Sequence, residues 1–400
     1  MERIPWSRPE PFGAWIRLDD ATLVAVDPAL AGRLGVAHGG GHGGGAGQAT
    51  RPLELHMAVT SRCPAPCTGC YLDARPDGYE PPFEALVARL VEARAAGVST
   101  VAFGGGEPLT RGDLGPLAAE ARRLGLVPVM TTSGLGLTAA RAAELGAFAQ
   151  INVSHDGVDG AYAAVRGFDA AAHAERAIAL LAAAGIPVGV NVVLTRASFP
   201  GLAATAARAA ELGAGEIQLL RYKPAGRADD DGYAERRLEP SQVRALWPAI
   251  EALVATRLRV RIDCAMVPLL SEALLAAVPD AARALAALGV FGCEAGRHLG
   301  ALTVRGAAAA CSFFSLTTRE PAPITLARSA APAEPARDLA ATWDRDAGLA
   351  RLRAYHAAPA EPCRSCPLFS VCRGGCQIVS SRAGSFGPDP ECPRVLASSP

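Results

Sequence analysis

From residue 52 onward the chain repeats one unit: a short apolar run, then a longer stretch with helical spacing that ends near glycine. The strand-like runs are Leu53–Val59, Thr100–Phe103, Val127–Met130, Gln150–Val153, Val188–Leu194 and Glu216–Arg221. Between them lie the amphipathic stretches Phe83–Ala96, Leu114–Leu124, Thr138–Leu145, Ala170–Ala184 and Leu202–Leu212. Gly97, Gly125, Gly185 and Gly213 stand where a helix is normally stopped. Strand–helix alternation dictates a parallel sheet with right-handed crossovers. Six units are too few to close the eight-fold barrel, so the expected class is α/β with an open sheet. In such sheets the site lies at the carboxyl ends of the strands.

The loop after the first run reads Cys63-Pro64-Ala65-Pro66-Cys67-Thr68-Gly69-Cys70-Tyr71. Iron–sulfur clusters normally take four cysteines. Three thiolates on one short loop would leave the fourth iron of a cubane open to a small molecule. A zinc loop or a structural cluster is the plainer reading of the spacing. After the second run comes Phe103-Gly104-Gly105-Gly106-Glu107-Pro108, where glycines let backbone approach a ligand closely.

Together these two loops resemble the radical S-adenosylmethionine (radical SAM) enzymes. The resemblance implies a partial (β/α)6 TIM-like barrel. It implies a [4Fe–4S] cluster on Cys63, Cys67 and Cys70, whose open iron chelates the amino and carboxylate groups of SAM. It also places Tyr71, Gly105, Gly106 and Glu107 around that cofactor. Thr131-Thr132-Ser133-Gly134 resembles the family's Thr-Asn-Gly turn, with Ser for Asn. Val153-Ser154-His155-Asp156-Gly157 resembles its Ser-x-Asp-Gly. By that likeness Ser154 meets the SAM ribose, Arg166 its carboxylate, and Asn191 lines the pocket. Read from the residues alone, Asp156-Gly157 is equally a plain turn, Arg166 a surface charge, Asn191 a partner for backbone groups and Glu107 a structural carboxylate.

The chain has 11 cysteines. With no export signal at the start, which reads Met1-Glu2-Arg3-Ile4-Pro5-Trp6, clustered spacings argue for metal in a reducing compartment rather than for disulfides. Cys363-x2-Cys366-x5-Cys372-x3-Cys376 is followed by Cys392 and preceded by Cys293 and Gly306-x4-Cys311. Out of context the C-x2-C pair suits zinc. The whole order resembles the SPASM extension of radical SAM proteins, a loop-rich domain with two auxiliary [4Fe–4S] clusters. The family's interleaved ligation implies Cys363, Cys366, Cys372 and Cys392 on the outer cluster, with Cys293, Cys311 and Cys376 on the inner one. The inner set is then one thiolate short. Either that iron is open, or Cys264 supplies the fourth ligand, or Cys264 donates a hydrogen atom to a substrate radical; a buried small hydrophobe is the plain alternative. Asp263 is a second catalytic candidate.

The expected organisation is an N-terminal segment 1–50, a barrel 51–225, a bridge 226–290 and a cluster-binding extension 291–400. In the first segment Ala14–Leu18 and Thr22–Val26 read as a hairpin, Pro28–Leu34 as a short helix, and His38–Gly45 as a flexible glycine linker rather than a metal site. The hairpin offers an edge for an extended peptide but is too short for a complete peptide-recognition domain. In the bridge, Pro240–Ala255 and Leu269–Leu288 read as helices around a strand candidate, Leu258–Ile262.

Formal net charge is zero, which leaves no basic footprint for nucleic acid. No apolar run is long enough for a membrane span, so a cytoplasmic enzyme is expected. The resemblance implies a maturase that uses SAM and three [4Fe–4S] clusters to install an oxidative crosslink, carbon–carbon or thioether, in a ribosomally made precursor peptide. A flavodoxin or ferredoxin would supply its electrons. The alternatives are an anaerobic sulfatase-maturing enzyme and a non-catalytic iron–sulfur scaffold or electron carrier. Sulfatase maturases carry an Asp directly after the cysteine of the Gly-x4-Cys unit; this chain has Ser312 there.

Overall fold

The computed structural model describes residues 4–40, 49–314, 339–382 and 385–398. Most of the glycine tract, residues 41–48, lies outside them. Among the described residues, twelve strands form two sheets. The first sheet is antiparallel, in the order β1 (Trp6–Glu10), β2 (Gly13–Arg17), β3 (Leu23–Val26). The large sheet holds β4 (Glu54–Thr60), β5 (Thr100–Gly105), β6 (Val127–Thr132), β7 (Gln150–Ser154), β8 (Val188–Leu194), β9 (Glu216–Arg221), β10 (Arg259–Ile262), β11 (Leu299–Leu302) and β12 (Ala308–Ala309). Its order is β10-β9-β8-β7-β6-β5-β4-β11-β12.

All six expected strands are present as β4 to β9, in sequence order and parallel. The helices between them bury an Ala/Leu face on the sheet; Leu86, Leu90, Leu114, Leu117, Ile178 and Leu181 are fully enclosed in one core with Leu55, Phe103 and Ile151. The sheet continues at both edges. β10 adds in parallel to β9, and β11, from the cysteine-rich region, adds in parallel to β4. The architecture is thus an open α/β barrel whose first strand is held on its outer side by the C-terminal region. The expected helix Leu269–Leu288 is two helices, Ser271–Ala277 and Ala281–Ala287. Pro279 interrupts it, and Asp280 takes φ 47°, which is incompatible with a continuous helix.

The N-terminal sheet has three strands instead of a hairpin. β1 escapes sequence reading because its inward residues are Trp6, Arg8 and Glu10. Arg8 and Glu10 form a buried ion pair at 2.6 Å. The Arg8 guanidinium also donates to the carbonyls of Arg51, Pro52 and Gly97, each at 2.9 Å. Arg17 donates to the carbonyls of Ser99 at 3.3 Å and Gly125 at 3.1 Å. These acceptors precede β4, β5 and β6, so the small sheet is fastened to the amino ends of the barrel strands. The carboxyl ends stay clear.

Candidate functional site

One cavity of about 1200 Å³ runs through the open barrel, from Arg17 and Asp20 at the amino end to the cysteine loop at the carboxyl end. Cys63, Cys67 and Cys70 line it beside Gly104–Glu107, Ser154, Arg166 and Asn191. Close backbone packing places the two loops against each other. Gly105 has φ +116°, and a side chain there would meet the Thr60 carbonyl at 2.2 Å; one at Gly106 would meet the Arg62 carbonyl at 2.2 Å. Two glycines are therefore required for the β5 loop to lie on the start of the cysteine loop. The Gly106 and Glu107 amides donate to Thr60 and Arg62, both at 2.8 Å.

The Glu107 carboxylate is buried and fully engaged. It accepts from Thr132 Oγ1 at 2.5 Å, the Ser133 amide at 2.7 Å, Ser133 Oγ at 2.5 Å and the Leu109 amide at 3.0 Å. Glu107 is therefore a clamp between the glycine loop and the β6 turn, and the faces left for a ligand are the glycine backbone groups. Ser133, which stands where the related turn has Asn, serves that clamp.

Arg166 pairs with the buried Asp156 at 2.6 Å and points its Nη1 at Cys67 Sγ, 3.8 Å away. It is not a surface charge. Asp156 also accepts from the Val193 amide at 2.7 Å, so the Asp-Gly segment is fixed rather than a free turn. Ser154 stands at the carboxyl end of β7 on the cavity wall. Asn191 lies next to it in register on β8. Asn191 Oδ1 accepts from Asn152 Nδ2 at 2.8 Å, and Asn152 Oδ1 accepts from Gln150 at 2.7 Å. The lumen is thus polar along β7 and β8, unlike the packed interior of a closed barrel.

Several contacts that hold the site were not legible beforehand, although Tyr71 and Ser312 themselves were singled out from the sequence. Arg227 donates to the Cys67 carbonyl at 2.8 Å, to the Ala74 carbonyl at 3.1 Å and to Asp73 at 2.7 Å, strapping the cysteine loop from beyond β9. His56 Nδ1 is 2.9 Å from Ser312 Oγ, and its Nε2 is 2.9 Å from Glu54 Oε1. Tyr71 stacks at 4.4 Å on Phe313. The signal available was position alone, since each follows or lies on a strand facing the lumen.

The remaining thiols form two groups. Cys363, Cys366, Cys372 and Cys392 line one small pocket together with Ser271, Leu368 and Asp389. Cys264, Cys293, Cys311 and Cys376 line the large cavity. Among the described residues no three His, Cys, Asp or Glu side chains converge tightly enough to chelate one ion; the thiols border open space. Sulfur-only sets around a cavity suit iron–sulfur clusters. Burial pushes the Cys63 and Cys363 thiols up to about 11, and those of Cys293 and Cys311 up to about 12. Burial also raises Cys67, with Arg166 pulling the other way. Taking up metal must therefore release protons. Asp263 is not a free base: burial opposes its ionisation, but the contacting Lys223 ammonium holds its carboxyl below the usual range. Lys223 also sits over Phe313 at 4.7 Å.

Residues 57–202 match the family model described as the Radical SAM superfamily. Over this segment the chain is similar to radical SAM domains. The segment contains the cysteine loop, the glycine loop, Ser154, Arg166 and Asn191. Over 176 residues the chain is 32% identical to a PqqA peptide cyclase of Streptomyces rochei, covering 42% of this chain and 48% of that protein. Over 174 residues it is 30% identical to a PqqA peptide cyclase of Gluconobacter oxydans, covering 42% and 49%. The chain spans about half the length of these curated relatives. Beyond this segment the likeness is one of fold. Streptococcus suis SuiB, solved with S-adenosylmethionine, superposes with a TM-score of 0.72 at 15% identity, covering 97% of this chain and 98% of that one. SuiB bound to precursor peptide SuiA gives the same TM-score of 0.72 at 16% identity.

Proposed function

We propose that the chain is a radical SAM peptide maturase that installs an oxidative side-chain crosslink in a ribosomally made precursor. The observation that carries this reading is the single cavity. The three-thiol loop, the glycine loop and Cys264, Cys293, Cys311 and Cys376 all line one space of about 1200 Å³. The similarity to PqqA peptide cyclases and to the fold of a protein solved with its precursor peptide supports the substrate class.

Cys63, Cys67 and Cys70 would hold the SAM-binding [4Fe–4S] cluster. Bound there, the cluster and SAM would supply one-electron radical chemistry able to remove a hydrogen atom from an unactivated carbon. The chain's own residues place and shield this chemistry. Glu107 fixes the glycine loop so that its backbone groups face the ligand. Arg166, held by Asp156, puts a positive charge beside Cys67. Ser154 and Asn191 offer polar groups at the cavity wall, and the Tyr71–Phe313 stack closes the side toward the C-terminal region. The two further thiol sets would hold the auxiliary clusters of a SPASM domain. Thiol-ligated clusters of this kind favour a reducing cytoplasm, with a flavodoxin or ferredoxin as electron donor.

The sulfatase-maturing alternative needs a base at position 312. Ser312 is instead the partner of His56, which leaves no carboxylate there. A non-catalytic scaffold has no use for the intact glycine loop and its Glu107 clamp. The test is anaerobic reconstitution with iron, sulfide, SAM and dithionite. The expected result is 5′-deoxyadenosine, and, with a precursor peptide as substrate, a product lighter by two hydrogen atoms. Absence of 5′-deoxyadenosine from protein shown to carry all three clusters would overturn the reading. Conversion of a sulfatase Cys or Ser to formylglycine would favour the alternative.

A further inference from the structure

We propose that Cys264 completes the inner thiol set, making it a closed four-thiolate site with Lys223 as its counter-charge. This rests on the assignment of auxiliary clusters above and goes beyond it: a closed site offers no iron to a substrate atom and can only exchange electrons. By sequence the inner set is three cysteines from the C-terminal region, and Cys264 lies outside it, 29 residues before Cys293. The fold removes that separation.

β10 pairs in parallel with β9, so the chain leaves β10 at the carboxyl end of the barrel. There the Asp263 amide donates to the Leu219 carbonyl at 2.8 Å, and the Asp263 side chain accepts from the Ala265 amide at 3.2 Å, turning the chain sharply at Cys264. The next residue, Ala265, is buried in one apolar cluster with Cys293, Cys311 and Cys376. Cys264 itself lines the same cavity as those three thiols, close enough to Cys293 for the two thiols to interact electrostatically. Four sulfurs from three separate segments thus border one space.

The charge arrangement points the same way. The chain has 39 basic residues, and Lys223 is the only lysine; the rest are arginines. Its ammonium is buried, with 8% of the side chain exposed, and is held by Asp263, the neighbour of Cys264. Cys264, Cys376 and Cys311 all lie within its field. Burying a cation costs free energy unless negative charge faces it. Asp263 supplies one such charge, and thiolates around a cluster supply more. A compact point charge fits this position where a planar guanidinium, with its fixed fork of donors, does not. A hydrogen-atom donor, by contrast, has no need of three further thiols beside it.

The test removes the radical SAM cluster so that its open iron does not interfere. In a Cys63→Ala/Cys67→Ala/Cys70→Ala background, about eight irons per chain are expected, two [4Fe–4S] clusters. A cubane lacking one thiolate loses its unique iron as Fe²⁺ when ferricyanide takes one electron from it, leaving a [3Fe–4S] centre with a sharp paramagnetic resonance. With Cys264 present this signal should be under a tenth of a spin per chain; after Cys264→Ala it should approach one spin per chain. A signal near one spin in the background itself would overturn the proposal, and so would a Cys264→Ala variant that stays silent with its iron intact. If Cys264→Ala does not fold, the background alone decides. About four irons or fewer in the background would instead sink the auxiliary-cluster assignment on which the proposal rests. As a second readout, Lys223→Met should shift the inner couple to lower potential, by about 59 mV for each tenfold weakening of the reduced form. No shift would remove Lys223 from the proposal.

Discussion

The two C-terminal thiol sets are built in opposite ways. The outer set comes from one stretch, Cys363 to Cys392, and surrounds a small pocket away from the barrel lumen. The inner set draws on the turn after β10, on Cys293 and Cys311, and on Cys376, and it opens onto the main cavity. A local set in a region of short helices ties loops together. A dispersed set on a cavity wall registers barrel, bridge and extension against one another, and faces whatever occupies the lumen. The difference is one of exposure to the lumen: one set borders the main cavity and the other a separate small pocket.

The largest test of that contrast sets each region against the radical SAM loop. Cys67→Ala should lower 5′-deoxyadenosine formation at least a hundredfold, whereas Cys366→Ala should retain SAM cleavage and lose peptide product. Chromatography of both products checks this. Equal loss of cleavage would mean that the outer set is needed for folding as a whole.

Next in size is the tie between barrel and extension. Arg221, at the end of β9, is buried and makes paired contacts with Asp389 at 2.6 and 2.9 Å and a third with Glu391 at 2.9 Å. Asp389 in turn accepts from the Cys376 amide at 3.0 Å. Removing one partner of a buried ion network costs roughly 3–5 kcal/mol. Arg221→Met should therefore lower the unfolding free energy by about that amount in denaturant titration. A loss below about 1 kcal/mol would show that the extension is held by its metal alone.

A smaller effect concerns pH. Burial raises the thiols of Cys264, Cys293, Cys311 and Cys376. A raised thiol pKa means that more protons must leave on loading, so iron uptake at the inner set should strengthen as pH rises from about 7 to about 9. Iron titration of the apoprotein at several pH values checks the sign. The smallest effect is local. Asp346 caps the helix Ala347–Ala357 by accepting from the Leu349 amide at 2.9 Å, and Leu349 and Leu352 pack beside the inner thiols. Asp346→Ala should cost about 1 kcal/mol and leave the iron count unchanged.

What could be read from the sequence is what short-range order determines. β4 to β9 announce themselves because each is an apolar run with a helix behind it. The cysteine and glycine loops are contiguous and carry their own spacing. β1 is hidden because Arg8 and Glu10 point inward. β11 reads Leu-Gly-Ala-Leu, too short and glycine-broken to stand out, and it exists because β4 offers it an edge. His56 and Ser312 meet across 256 residues, and Cys264 comes to line one cavity with Cys293 because β10 joins β9. Contacts of this kind depend on how units pack, and no local pattern encodes them. Glu107 shows the converse: the motif was legible, but the partners of its carboxylate, Thr132, Ser133 and Leu109, were not.

With Lys223 as the only side-chain amine in the molecule, an amine-directed reagent has a single side-chain target, and that target faces the interior. Acylation of Lys223, followed by mass spectrometry, therefore measures how often the lumen opens to reagent. The same mark becomes a gauge of occupancy, since anything filling the cavity that Lys223 lines should slow it.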